Sequence, residues 1–138
     1  MKKLILILIP IMLLLGSCGL RRTNPLDPFG DNNVVVPDPV TNITFFIQGG
    51  QGYKTVSFGW TANSGFNTDG YYLYRGLAYN SSFAVVDTVT TNSCVHGSDP
   101  WHVVLPGDYY YKVSAWKTYG DRRLEGPISS HVFVRINP

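Results

Sequence analysis

Leu105-Pro106-Gly107-Asp108-Tyr109-Tyr110-Tyr111-Lys112-Val113-Ser114-Ala115 is the stretch whose reading decides the fold. Tyr109, Tyr111, Val113 and Ala115 recur at every second position, with Tyr110, Lys112 and Ser114 between them. A pleated strand sends successive side chains to opposite faces, so this spacing makes one half-buried strand. Pro106-Gly107 ahead of it supplies the turn chemistry that starts a strand cleanly.

The same period returns on both sides of that stretch. Ile43, Phe45 and Ile47 alternate, then Val56, Phe58 and Trp60, then Tyr71 and Leu73 in a run ending near Arg75. Phe83 to Val89 is rich in β-branched residues, Ser93 to His96 forms a short run, and Val132, Val134 and Ile136 close the series. Turn clusters such as Gln48-Gly49-Gly50-Gln51-Gly52 and Asn63-Ser64-Gly65 separate the runs. The content of 9 Tyr, 7 Phe and 3 Trp, with 14 Gly and 9 Pro, favours strands and turns over helices. The expectation is an all-β, seven-stranded antiparallel β-sandwich over residues 37–138.

Those residues resemble a fibronectin type III domain, an immunoglobulin-like sandwich. Pro39-Val40-Thr41-Asn42-Ile43 is similar to the lead into its first strand, and Val56-x-Phe58-x-Trp60 to its second, whose Trp fills the core. Gly70-Tyr71-Tyr72-Leu73-Tyr74-Arg75 looks like the third strand, and Glu125-Gly126-Pro127-Ile128-Ser129 like the lead into the last. Leu105 to Ala115 resembles the corner and sixth strand. The resemblance implies that Tyr109 is the tyrosine-corner residue, its hydroxyl bonded to nearby backbone. Two departures stand out: the long interval from Cys94 to Leu105, which contains Trp101, and Cys94 itself, where an aromatic residue is common.

The N-terminus is of another kind. Lys2 and Lys3 precede an apolar run from Leu4 to Leu15, too short for the roughly 20 residues of a spanning helix. It fits the apolar region of a secretory signal. Leu15-Gly16-Ser17-Cys18 follows directly and resembles the lipobox of bacterial lipoproteins. That resemblance implies removal of residues 1–17 and acylation of Cys18, whose lipid is the membrane partner. Each buried methylene contributes about 0.8 kcal/mol, so two or three chains anchor a protein durably. Gly19 follows Cys18, so the Asp associated with inner-membrane retention is missing and the outer membrane is favoured where there is one.

Residues 18–36 read as the lipidated Cys and a flexible tether, with turn formers at Asn24-Pro25-Leu26-Asp27-Pro28 and Gly30-Asp31-Asn32-Asn33. A flexible chain of that length spans roughly 25 Å. The formal charge of +2 resides in the signal: without Lys2 and Lys3, 9 basic residues face 9 acidic ones. A neutral mature chain has no electrostatic footprint for nucleic acid.

Chemistry-bearing motifs are few. Cys94-x-His96-x-x-Asp99-x-x-His102 has the composition of a metal or nucleophile site, but its spacing matches no known geometry. It is read as adventitious loop residues, with Cys94 buried as a small hydrophobe. No catalytic residue, metal or cofactor is therefore expected. Alternation sends Tyr72, Tyr74, Tyr110 and Phe133 outward, as a band of exposed rings on one sheet. The leading expectation is a lipid-anchored, non-enzymatic interaction or spacer module, with a protein or glycan partner. The alternative is a carbohydrate-binding module that uses this aromatic face.

Overall fold

The computed structural model describes residues 24–49, 54–97 and 104–138. Residues 1–17 and Cys18, the Gly50–Gly52 part of the first turn, and Asp99, Trp101 and His102 lie outside the described residues. Residues 24–33 and Val34–Pro138 belong to separate compact units. The first is a run of turns in which Asn24, Asp27 and Asp31 side chains accept the amides of Leu26, Phe29 and Asn33. This is the local bonding that Asn and Asp offer a chain with no ladder to join. Val34 to Val36, read above as the end of the tether, fall in the second unit.

That unit is all-β, with antiparallel strands in two sheets packed like a sandwich. The strands are β1 (Thr44–Gln48), β2 (Thr55–Gly59), β3 (Gly70–Gly76), β4 (Ala84–Val89), β5 (Ser93–His96), β6 (Gly107–Tyr119), β7 (Arg122–Glu125) and β8 (Val132–Ile136). One sheet has the order β1-β2-β5, and the other β4-β3-β6-β7 with β8 also on β6. Inward-facing residues of both sheets share one core: Val56, Phe58 and Cys94 from the smaller, Tyr71, Leu73, Tyr111, Val113 and Val134 from the larger. The Phe58 and Tyr111 rings lie 4.6 Å apart within it.

The described strands number eight, against the seven expected. The addition is β7, which pairs with the part of β6 beyond Ala115. β7 pairs with β6 at Trp116 to Tyr119 and β8 at Gly107 to Tyr111. Between them the Gly126 and Ser129 amides still donate to the Ala115 and Val113 carbonyls, at 2.9 Å each. The register against β6 shifts by two residues across this interval, so the ladder position beside β6 is filled by two shorter strands. Gly126 is required here, because a Cβ would lie 2.4 Å from the Pro37 carbonyl oxygen.

β6 also outruns its apolar alternation, continuing to Tyr119 before a tight turn at Gly120, where φ is +63°. That extension brings Tyr119 to the N-terminal arm. Its hydroxyl accepts the Val35 amide at 2.7 Å and donates to the Val35 carbonyl at 2.9 Å. Val34 and Pro37 on either side are buried.

Candidate functional site

The outer face of the larger sheet carries the rings that alternation pointed outward. Tyr71 and Leu73 are buried, whereas Tyr72, Tyr74 and Tyr110 are half-buried and Phe133 is 41% exposed. The face is one surface but two neighbourhoods.

At the β7 end the rings are enclosed by polar partners. Tyr74 donates to Glu125, whose Oε1 also accepts the Ser114 hydroxyl at 2.6 Å. Burial, reinforced by the Glu125 carboxylate, pushes the Tyr74 phenol up to about 12. Arg123 reaches the Tyr72 hydroxyl at 3.3 Å and lies 4.1 Å over the Trp116 ring. Tyr72 meets Tyr74 edge to face, with ring centres 6.4 Å apart. Trp116 points outward yet is only 5% exposed, because the Arg123 guanidinium and the Tyr72 ring cover it. Its indole N–H is buried without a hydrogen-bond partner. Here Arg123 engages Tyr72 and Trp116, and Glu125 engages Tyr74.

At the β8 end the rings are more open. Tyr110 packs against Phe133 at 5.2 Å and His131 at 5.4 Å, and His131 meets Tyr79 at 4.7 Å. Tyr79 is 65% exposed. Arg135 holds Asp108 by a two-pronged ion pair, at 2.7 and 2.9 Å, and its guanidinium lies 5.4 Å from the Phe133 ring centre. That pairing keeps the Asp108 carboxyl below its usual range. Tyr79 was not among the expected binding residues. It sits in the loop between β3 and β4, where period-2 reasoning has no purchase.

Tyr109 donates its hydroxyl to the Leu105 carbonyl at 3.0 Å, closing the turn that leads into β6. Arg75 lies over its ring at 5.3 Å.

Cys94 and His96 both face inward from β5 and are buried. Arg75 Nη1 lies 3.2 Å from His96 Nε2. A guanidinium only donates, so this contact needs a lone pair on Nε2. Burial, with a smaller push from Asp87, raises the Cys94 thiol to about 12. At neutral pH it lacks the thiolate form that attacks or ligates. Tyr111 is likewise pushed up to about 12 by burial, with the nearby Arg75 opposing, and its hydroxyl lacks a well-formed hydrogen bond. Among the described residues, no three of His, Cys, Asp and Glu gather as a metal-holding group.

A cleft of about 250 Å³ opens between the β2–β3 and β4–β5 loops, beside Asn63, Thr68, Asp69 and Thr91. Its one carboxylate is already engaged. Lys117 Nζ lies 2.7 Å from one Asp69 oxygen, and the Thr118 amide donates to the other at 2.9 Å. The Lys117 bond, with that amide, lowers the Asp69 pKa.

Compared with known proteins, the chain matches no protein-family model and no curated sequence.

Proposed function

We propose that this chain is an exported bacterial lipoprotein whose sandwich is a non-catalytic interaction or spacer module of fibronectin type III-like kind. The observation that carries the reading is Leu15-Gly16-Ser17-Cys18 placed directly after a short apolar run. The strand order β1-β2-β5 against β4-β3-β6 with β7 and β8 supports the kind of sandwich, as does the Tyr109 bond at the corner. The spacer role draws on the two ends of β6. The N-terminal arm is held at Tyr119, and Gly107 at the other end pairs with Ile136. A 13-residue strand at about 3.3 Å per residue separates those ends by roughly 40 Å. The β8 rings therefore lie at the end of β6 opposite the clamped arm.

Mass spectrometry of the N-terminal peptide tests the anchor. The expected result is a lipid adduct on Cys18 with residues 1–17 removed, and loss of detergent-phase partitioning in Cys18→Ser. An unmodified Cys18 in the mature chain refutes the anchor.

The open rings at the β8 end favour a second reading, carbohydrate binding by stacking. Retention on a glycan array that is lost in Tyr110→Ala and Phe133→Ala, but kept in Tyr72→Ala, would establish it.

A further inference from the structure

We infer that β1 is a self-pairing edge, through which two copies of this chain join their smaller sheets into one. The observation behind it is an inward-facing aromatic residue left uncovered. Phe45 lies opposite the buried Phe58 and faces the sandwich interior, their ring centres 6.4 Å apart. It nevertheless remains 41% exposed, because β1 is the last strand of its sheet. On the outer face Phe46 is 63% exposed.

The other edges are guarded against pairing, and β1 is not. β4 carries Asp87 and a register shift at Leu73/Tyr74. The β7–β8 edge is broken at Gly126-Pro127 and bears Arg122, Arg123, Glu125 and Arg135. β5 has only four residues. Charges, bulges, prolines and brevity are the usual devices that keep an edge from adding a strand. Thr44-Phe45-Phe46-Ile47-Gln48 has no charge and no Pro, and it pairs with β2 without a register shift.

An edge strand offers a row of backbone N–H and C=O groups that another strand can take over from water along its length. A second copy of β1 fits because the strand is self-complementary when run antiparallel about Phe46. Phe46 then meets the partner's Phe46 on the outer face, and Thr44 meets the partner's Gln48. Phe45 meets the partner's Ile47 on the core side, which closes the gap over Phe45. No charge opposes another in that register, and aromatic and aliphatic cross-strand pairs are stabilising. A two-fold axis through Phe46 gives a closed dimer rather than a filament. Nothing in this pairing depends on acylation of Cys18, so the inference stands or falls apart from the anchor.

Sedimentation equilibrium of the full chain, in detergent matched to solvent density, tests it. Wild-type chain should show a monomer–dimer equilibrium. Phe46→Lys should weaken it about tenfold or more, since like charges then face each other across the axis. Phe46→Glu should do the same, and mixing the two variants should restore a dimer. Phe133→Lys, which alters an exposed ring on the other sheet, should leave association unchanged. Thermal melts of each variant separate lost pairing from lost folding. A wild-type chain that stays monomeric at all concentrations overturns the inference. So does a dimer that survives Phe46→Lys, or one abolished by Phe133→Lys.

Discussion

Tyr119 and Val35, 84 residues apart in sequence, are joined by two hydrogen bonds through a single phenol oxygen. One bond satisfies the Val35 amide and the other its carbonyl, as a neighbouring strand would. The phenol thereby fastens the N-terminal arm to the far end of β6. Tyr119→Phe removes both bonds and should destabilise the domain by about 1–3 kcal/mol, at roughly 0.5–1.5 kcal/mol per bond. Hydrogen exchange at Val35 should accelerate more than exchange in β3. Unchanged exchange at Val35 would mean that burial of Val34 and Pro37 holds the arm by itself.

Tyr109→Phe should cost about 0.5–1.5 kcal/mol through loss of the bond to Leu105. Tyr110→Phe should cost less, because the Tyr110 ring contacts survive without its hydroxyl. Urea denaturation of the two variants beside the wild type makes the comparison. Equal losses would show that the corner bond contributes nothing particular.

Gly70→Ala should be poorly tolerated. A Cβ there would lie 2.4 Å from the Trp116 ring and 2.6 Å from the Val89 carbonyl oxygen. Overpacking of this kind costs about 1–3 kcal/mol. Gly65→Ala, with no atom within 4 Å of its added Cβ, is the matched control. Their melting temperatures should separate clearly.

Alkaline pH should destabilise the fold through buried acids that resist ionisation. Cys94 rises from 9.0 to about 12, and Tyr111 from 10.0 to about 12. Folded-state values above unfolded ones mean that this stability is complete below about pH 9 and drains away as pH climbs toward 12. Unfolding free energy measured by urea at stepped pH should fall across that window. At about pH 8 the native Cys94 thiol should resist alkylating reagents and react once the chain is unfolded. Rapid labelling of folded protein would contradict its burial.

Much of the outer face was legible from residue spacing. Tyr71 and Leu73 inward, with Tyr72 and Tyr74 outward, follows from a pleat that alternates by geometry alone. Spacing does not tell how exposed an outward ring remains. Trp116 points outward and is nonetheless covered, because Arg123 arrives from β7 to lie over it. Tyr79 joins the open ring cluster from a loop whose path depends on what it packs against.

The sequence alone pointed to the all-β class and to the inward and outward sets of β1, β2, β3, β6 and β8, and its resemblance to a known corner pointed to Leu105 to Tyr109. Each of these rests on interactions within a few residues, which local order encodes. Tertiary structure decided the pairing of β7 with the far end of β6, the seat of Val35 on Tyr119 and the openness of β1. It also decided which partners each outward tyrosine packs against. These features depend on which distant segments come to lie side by side. That is settled only when two sheets close over a shared core, and no periodicity along the chain records it.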